Sequence, residues 1–364
     1  MTSEELKNIY FGAYRFEESK DGWLQAFQYS RQQMEYFKGA YDFWYDRCMA
    51  TSAKTIEFVT DASSVSFEYR IIWLGSPDSF ELSLDGQITS IVYVKDILEK
   101  NGRRTEAPKE GEPGWEFPID GRIAWELPEG KKSVVIYLPA DATVLIKSLE
   151  VNAPVQRPEK NEKVLWLGDS ITQGYGPLRS AMTYVSVANR LLGYDIINQG
   201  IGGYIYDKKS LMKMEGYQPD KIIVALGTNQ FWSESMKDVE EYYEELMGLY
   251  GSTIPVLCIS PVWRADQPEN YKKFVTFCEN IKMIAGSYKN VKIVDGFPWC
   301  LILMSIIWMV CIRIVSVRKT TAGIWLKRSG EWGFSTRGES SALVLPCQAC
   351  TPVCPATVRA SGAG

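Results

Sequence analysis

The sequence predicts an α/β chain in two parts: an all-β sandwich followed by a three-layer α/β/α domain with a parallel sheet. Short runs that alternate apolar and polar residues, separated by turn signals, fill about residues 56–151. From residue 163 onward, nearly continuous apolar runs alternate with stretches of helical spacing. The 364 residues are enough for two domains with separate cores. We therefore expect the sandwich in residues 1–155 and the α/β domain in residues 156–298.

The first part contains four strand-rich stretches, namely KTIEFVTDA, SVSFEYRIIWLG, SFELSLDGQITSIVYV and KSVVIYLPADATVLIKSLEV. Asp-Gly pairs at 85–86 and 120–121 predict two turns. The aromatic residues between Tyr10 and Tyr45 are predicted to pack on the sandwich, with a sugar-stacking surface as the alternative. Two prolines and many charges indicate an interdomain linker at 152–163.

The second part repeats strand and helix. Helical spacing over 181–192, 236–250 and 270–288 separates strand-like runs, which read KVLWLG, YDIIN, KIIVALGTN, PVLCISPV and VKIVDG. This repetition predicts a parallel sheet covered on both faces. Ligands of such sheets bind outside the carboxyl ends of the strands.

Three polar segments follow predicted strands and would meet at that edge: Gly168-Asp169-Ser170, Asn198–Gly203 and Gly227-Thr228-Asn229. Each by itself is ordinary turn or cap chemistry. Together they offer a serine hydroxyl that could attack an ester, together with amide donors for the oxyanion that forms. The set therefore predicts a serine hydrolase site.

These three blocks resemble, in order and position, those of the SGNH hydrolases, also called GDSL esterases and lipases. The resemblance covers about residues 162–298 and implies a flavodoxin-like sheet, no metal or organic cofactor, and a small-molecule or carbohydrate ester as substrate. It implies Ser170 as nucleophile and, as oxyanion donors, the Ser170 amide, the Gly203 amide and the Asn229 side chain. Gln230 departs from the family, which often has an acid there.

The sandwich is similar to the N-terminal, jelly-roll-like domain of some two-domain bacterial SGNH carbohydrate esterases. This similarity rests on the order and composition of the two parts rather than on a motif. It implies that the substrate is an acylated carbohydrate or a related small ester.

The base that such a serine needs is missing. The family's fourth block is an Asp-x-x-His pair after the last strand, but the chain contains no histidine. The corresponding segment reads WCLILMSIIWMVCIRIVSVRK, and Asp295 is too early because it ends the strand itself. The sequence therefore lacks the group that would accept the proton of Ser170.

A displaced reading frame restores this block. Trp308 and Met309 have the single codons TGG and ATG, so the last base of one with the first two of the next gives GAT, which encodes Asp. Continued through Arg313 with a CGN codon, the displaced frame reads Asp-Gly-[Leu/Met/Val]-[His/Tyr]-[Pro/Ser/Thr], which is compatible with the family's Asp-Gly-Leu-His-Pro. The other displaced frame yields no such pair. We infer a frame shift near Pro298 or Trp299.

The composition changes at the same point. Residues 299–364 contain five of the eight cysteines and have a net charge of about +5, against about −9 for residues 1–298. The motif CQACTPVC at 347–354 lacks the further ligands that a zinc site requires. The apolar run 299–312 is shorter than the roughly 20 residues that span a bilayer. We expect an aberrant, disordered tail and no membrane partner.

The sequence predicts serine ester hydrolysis, with sugar deacetylation as one form and with little or no turnover in the chain as written. The alternative is a non-catalytic carbohydrate-binding pseudoenzyme. A net charge of −4 argues against nucleic acid as a partner. Acidic residues in the opening segment, where a signal peptide would be basic and then apolar, predict a cytoplasmic protein. Nothing in the sequence indicates an oligomeric state.

Overall fold

Two antiparallel sheets form the sandwich in a computed structural model that describes residues 1–109, 112–263 and 267–296. These residues lie in one compact unit. The strands in chain order are β1 Tyr10–Phe11, β2 Arg15–Glu18, β3 Leu24–Phe27, β4 Thr55–Thr60, β5 Ser64–Leu74, β6 Ser79–Leu84, β7 Gln87–Tyr93, β8 Ile119–Glu126, β9 Lys132–Tyr137, β10 Ala142–Val151 and β11 Val155–Gln156.

One sheet has the order β1-β4-β9-β6-β7, with β11 paired to β4, and the other has the order β2-β3-β10-β5-β8. Phe58 and Phe80 of the first sheet share a buried apolar core with Phe67 of the second. The alternating patterns place these rings on the inner faces, since successive residues of a strand point to opposite sides. The predicted sandwich is confirmed.

One of the two predicted turns is correct. Asp85 and Gly86 join β6 to β7 with φ of +50° and +84°, as a two-residue hairpin requires. The turn predicted at 120–121 is wrong, because Asp120 and Gly121 lie inside β8. A Cβ at Gly121 would lie 2.2 Å from Oη of Tyr69, so glycine is needed there to let that side chain cross the strand.

In the described part of this half, the α-helices are α1 Ser3–Ile9, α2 Arg31–Ala40, α3 Asp42–Cys48 and α4 Val94–Lys100. The prediction that the aromatic residues of the opening segment pack on the sandwich is correct only in part, for example at Tyr10. Phe27, Tyr29 and Phe37 join the core under the parallel sheet. Phe43 on α3 remains exposed, as does Tyr41, the residue just before this helix. The opening segment therefore packs partly against the second half of the chain.

The second half is the predicted parallel sheet, with the order β13-β12-β14-β15-β16. Its elements are β12 Lys163–Gly168, α5 Ser170–Gln173, α6 Tyr184–Leu192, β13 Asp195–Gly200, β14 Lys221–Ala225, α7 Lys237–Tyr250, β15 Val256–Ile259, α8 Tyr271–Gly286 and β16 Val291–Val294. Leu165 and Leu167 face a core that includes α7 and α8, whereas Val164 and Trp166 face one that includes α6. Both faces are therefore covered, and the predicted three-layer arrangement is confirmed.

Within the described ranges, no helix is long and apolar enough to cross a membrane. The cytoplasmic location stays a prediction. Residues 299–364, with the apolar run and the CQACTPVC motif, lie outside the described residues.

Candidate active site

The three polar segments leave the parallel sheet at the same edge. Gly168, the last residue of β12, is paired with Gly200 of β13 on one side and with Ala225 of β14 on the other. The segment after β13 turns back over this edge, since the amide of Ile201 donates a 3.1 Å hydrogen bond to the carbonyl of Gly168. The pairing register therefore brings the three loops to neighbouring positions.

Ser170 stands at the sharp corner between β12 and α5. Asp169 caps the helix, because its side chain accepts a 3.0 Å hydrogen bond from the amide of Ile171. Gly168 has no room for a side chain, since a Cβ there would lie 2.0 Å from Oγ1 of Thr172. The corner is therefore fixed by local packing, and it leaves Ser170 half-buried at the start of the helix.

The segment after β13 forms a tight turn over 201–204. Asn198, which is buried, donates from Nδ2 to Oγ of Ser52 and to the carbonyl of Thr172, both at 2.8 Å. In the turn, the amide of Gly202 donates to Oε1 of Gln173 at 2.6 Å. These bonds tie β13 and its turn to the helix that begins with Ser170.

Gly203 occupies the centre of the turn with φ of +71°, a left-handed conformation that favours glycine. The amides of Ile201, Gly202 and Tyr204 each donate to an acceptor. Among the residues that the structure describes, the Gly203 amide has no acceptor within hydrogen-bond distance. A Cβ at Gly203 would lie 3.1 Å from Cε1 of Phe43, so the turn is close-packed on that side.

Asn229 connects the third loop to the second. Its Nδ2 donates a 3.1 Å hydrogen bond to the carbonyl of Tyr204, the residue after Gly203. Gln230, the departure from the family pattern, has a structural place here. Its Oε1 accepts from the amide of Tyr206 at 2.9 Å, and its Nε2 donates to Oδ2 of Asp238 at 3.1 Å. Gln230 therefore joins the second loop to α7.

Helix α3 of the first half forms a wall of the candidate site. The guanidinium of Arg47 lies 3.4 Å from the centre of the Phe43 ring, and a Cβ at Gly202 would lie 2.7 Å from Cδ of Arg47. Burial lowers the pKa of Arg47 from its ordinary value. The rings of Tyr41 and Phe43 stack with centres 5.6 Å apart, and both are exposed. An aromatic and cationic surface therefore lies next to the turn.

Sequence reasoning missed the residues that support the turn. Gln173 is adjacent to the first block and could have been noticed there. Asp141, whose Oδ1 accepts from Nε2 of Gln173 at 2.7 Å, gave no signal because it lies in a sandwich loop 32 residues away. Burial raises the pKa of Asp141 to about 6, while the positive charge of Arg47 acts in the opposite direction.

Asp295, the carboxylate that follows the last described strand, is bonded to two residues near that strand. Its carboxylate accepts from Oγ of Ser260 at 3.0 Å and forms an ion pair with Nζ of Lys282 at 3.2 Å. It immediately follows β16, as the sequence indicated. The segment in which the Asp-x-x-His block was expected lies outside the described residues.

A parallel sheet with these three segments at one edge is the arrangement of a hydrolase of the SGNH fold. Residues 166–302 match the model of the GDSL-like lipase/acylhydrolase family. The match covers the α/β domain of the chain, which has the SGNH fold. No curated protein sequence matches the chain.

Solved structures share the fold across both parts of the chain. The salicylyl-acyltransferase SsfX3 from a tetracycline biosynthetic pathway is 16% identical, with a TM-score of 0.59 over 79% of this chain and 82% of that one. A GDSL-like lipase from Bacteroides ovatus is 16% identical, with a TM-score of 0.58 over 82% and 87% of the two chains. A family two carbohydrate esterase from Clostridium thermocellum, in complex with cellohexaose, is 15% identical with a TM-score of 0.49 over 78% and 87%.

Proposed function

We propose that this protein derives from a serine esterase that removes acyl groups, acetyl in particular, from carbohydrates or small esters. Ser170 is the nucleophile. The Ser170 amide, the Gly203 amide and the Asn229 side chain are the donors for the oxyanion. The observation that supports this most directly is the Gly203 amide, which has no acceptor in the described residues while its neighbours on both sides are bonded.

Asn229 supports the same assignment. A side-chain amide has two N–H groups, and one of them is used to bond the carbonyl of Tyr204. That bond fixes the orientation of the amide and leaves the second N–H for a substrate oxygen. Donors held in place before the reaction stabilise a developing oxyanion without having to reorganise.

The chemistry follows from these roles. Oγ of Ser170 attacks the ester carbonyl carbon as a base takes its proton, and the carbonyl oxygen becomes the oxyanion that the donors hold. Collapse of this intermediate expels the alcohol, which takes the proton back, and leaves an acyl-serine. The base then takes a proton from water as the water oxygen attacks the acyl carbon, which forms a second oxyanion. Collapse of this intermediate breaks the bond to Oγ of Ser170, which takes the proton from the base, and releases the acid. No step requires a metal or an organic cofactor.

The chain as written lacks the histidine for the proton transfers. We propose that a frame shift near Pro298 or Trp299 removed it, and that this chain has little or no turnover. Removing one member of a triad leaves roughly 10³- to 10⁴-fold catalysis over water from the oxyanion donors and substrate binding alone. The domain boundaries 1–155 and 156–298, followed by an aberrant segment 299–364, are part of the same proposal.

The test compares p-nitrophenyl acetate hydrolysis by this chain and by a version with the displaced frame restored. We expect activity only in the restored version, and S170A should abolish it. If the restored chain shows no serine-dependent hydrolysis, the esterase assignment is wrong. Ordinary turnover by the unrestored chain, lost in S170A, would overturn the account of the tail. Resequencing the DNA around codon 298 tests the frame shift directly.

A non-catalytic carbohydrate-binding role is the second candidate. It is favoured by the stacked, exposed rings of Tyr41 and Phe43 beside the Gly203 turn, because sugar rings pack against such aromatic faces. Titration of the unrestored chain with xylo- and cello-oligosaccharides, followed by tryptophan fluorescence, tests this role. Saturable binding that is lost in Y41A/F43A supports it. Absence of binding, together with activity in the restored chain, excludes it.

A further inference from the structure

One backbone amide of the turn that contains Gly203 donates to a side chain rather than to the backbone. Ile201 and Tyr204 donate to backbone carbonyls, but Gly202 donates to Oε1 of Gln173 at 2.6 Å. Gln173 is 2% exposed, so water does not compete effectively for this bond. The orientation of one buried side-chain amide therefore decides whether the Gly202 amide has an acceptor.

Asp141 determines that orientation. Nε2 of Gln173 donates to Oδ1 of Asp141 at 2.7 Å, and Oγ of Ser76 donates to Oδ2 of the same carboxylate, also at 2.7 Å. An ionised carboxylate only accepts hydrogen bonds. If the Gln173 amide were reversed, its oxygen would face the carboxylate and its NH₂ would face the N–H of Gly202. Both contacts would be repulsive, so Asp141 selects one orientation.

These bonds connect the sandwich to both sides of the candidate site. Asp141 lies directly before β10 and is 4% exposed. Gln173 is the last residue of α5, the four-residue helix that begins with Ser170. The close packing of this helix on β13 is visible at Gly200, where a Cβ would lie 2.3 Å from the backbone nitrogen of Gln173. A shift of Gln173 would therefore affect the helix of the nucleophile and the turn together.

We propose that Gln173 and Asp141 are positioning residues that hold the 201–204 turn in register with the Ser170 helix, so that the Gly203 amide keeps a fixed direction. The anchoring itself does not depend on catalysis. Its value for the reaction rests on the proposed function, in which the Gly203 amide is an oxyanion donor. The sandwich thereby contributes to the geometry of a site on the other domain.

The test measures amide hydrogen exchange at Gly202 in the full chain, labelled with ¹⁵N-glycine, by NMR. In Q173M, which keeps the length of the side chain but has no acceptor, exchange at Gly202 should accelerate about tenfold or more relative to the unmodified chain. Q33M is the control, because Gln33 is an equally buried glutamine whose partners, Ser30, Gln199 and Ser210, lie outside residues 201–204. It should leave exchange at Gly202 unchanged.

A reversed pair gives the decisive comparison. Q173E alone places two carboxylates together and should also accelerate exchange at Gly202. Adding D141N supplies an NH₂ donor to the new carboxylate, whose other oxygen can accept from Gly202, so Q173E/D141N should restore slow exchange. This rescue is not expected if the two residues only fill space. The comparison of Q173E with the double variant also decides the matter if Q173M fails to fold.

Unchanged exchange at Gly202 in a folded Q173M overturns the proposal, as does a folded Q173E/D141N that exchanges as fast as Q173E. The outcome is separate from that of the esterase assignment. If the Gly202 amide depends on Gln173 and Asp141 while the restored chain shows no Ser170-dependent hydrolysis, the anchor stands and the proposed function is wrong. If the restored chain shows Ser170-dependent hydrolysis but exchange at Gly202 does not depend on Gln173 and Asp141, the proposed function stands and the anchor is wrong.

Discussion

The side chain of Asn229 donates a 3.1 Å hydrogen bond to the carbonyl of Tyr204, and so joins the loop after β14 to the turn after β13. The two loops come from strands that are not neighbours, since β12 lies between them. This bond holds the proposed donors Asn229 and Gly203 in one local structure. Contacts in this region, together with one buried lysine elsewhere, have measurable consequences for activity and stability.

The first prediction concerns Asn229 itself. In the frame-restored chain, N229A should lower kcat for p-nitrophenyl acetate about 100- to 1,000-fold, because it removes a donor to the oxyanion. N8A is the control, since Asn8 is exposed on the sandwich. Steady-state kinetics at one pH are sufficient. Equal kcat values for N229A and N8A would remove Asn229 from the proposed site.

The second prediction compares two glycines of the same conformation. Gly203 and Gly216 have φ of +71° and +72°, but a Cβ at Gly203 would meet Phe43 at 3.1 Å, whereas at Gly216 it would meet nothing within 4 Å. Each substitution by alanine should lower the free energy of unfolding by roughly 1–2 kcal/mol, because it places a Cβ in the left-handed backbone conformation. G203A should cost more than G216A, as measured by urea unfolding.

The excess should come from the ring contact. In a chain that already carries F43A, the further substitution G203A should therefore lower the free energy of unfolding only as much as G216A does in the unmodified chain. If G203A and G216A have equal costs, the turn is not close-packed against α3 as described.

The third prediction tests the place of Gln230. Q230E keeps the acceptor for the amide of Tyr206. It replaces Nε2 of Gln230, which donates to Asp238, by a carboxylate oxygen that repels the carboxylate of Asp238. We expect a loss of about 1–3 kcal/mol in unfolding free energy at pH 8. D238N should restore stability to Q230E, and a loss that persists in the double variant would contradict this arrangement.

The fourth prediction concerns Lys54, which is fully buried and bonded to the carbonyl of Ala50 at 2.6 Å. Burial lowers its pKa from 10.5 to about 7. Between these two values the unfolded chain binds more protons than the folded chain, so this lysine makes stability rise as the pH rises from 7 to 10.5. K54M should remove that contribution.

Urea unfolding at several pH values from 7 to 10 measures the slope of stability against pH. The slope should be lower in K54M than in the unmodified chain, whereas K20M, at an exposed lysine, should leave it unchanged. The same slope in K54M and K20M would mean that Lys54 does not titrate in this range.

The local periodicities were sufficient for most of the fold. Alternation predicted the sandwich, and the five apolar runs of the second half became β12 to β16 within a few residues of the predicted positions. The failure at Asp120-Gly121 has a nonlocal cause, since Gly121 is required by the side chain of Tyr69 on the neighbouring strand. A turn prediction from the pair Asp-Gly takes no account of Tyr69, which becomes a neighbour only when the two strands pair in the folded chain.

By itself, the sequence determined the classes of the two domains, the three segments at the sheet edge, and the absence of any histidine. These are properties of local order and composition, which do not depend on long-range contacts. Only the tertiary structure decided which donors in the turn are occupied, how Asn229 bonds to Tyr204, and that Asp141 orients Gln173. Hydrogen bonds between distant residues depend on backbone positions that exist only after the sheets have packed.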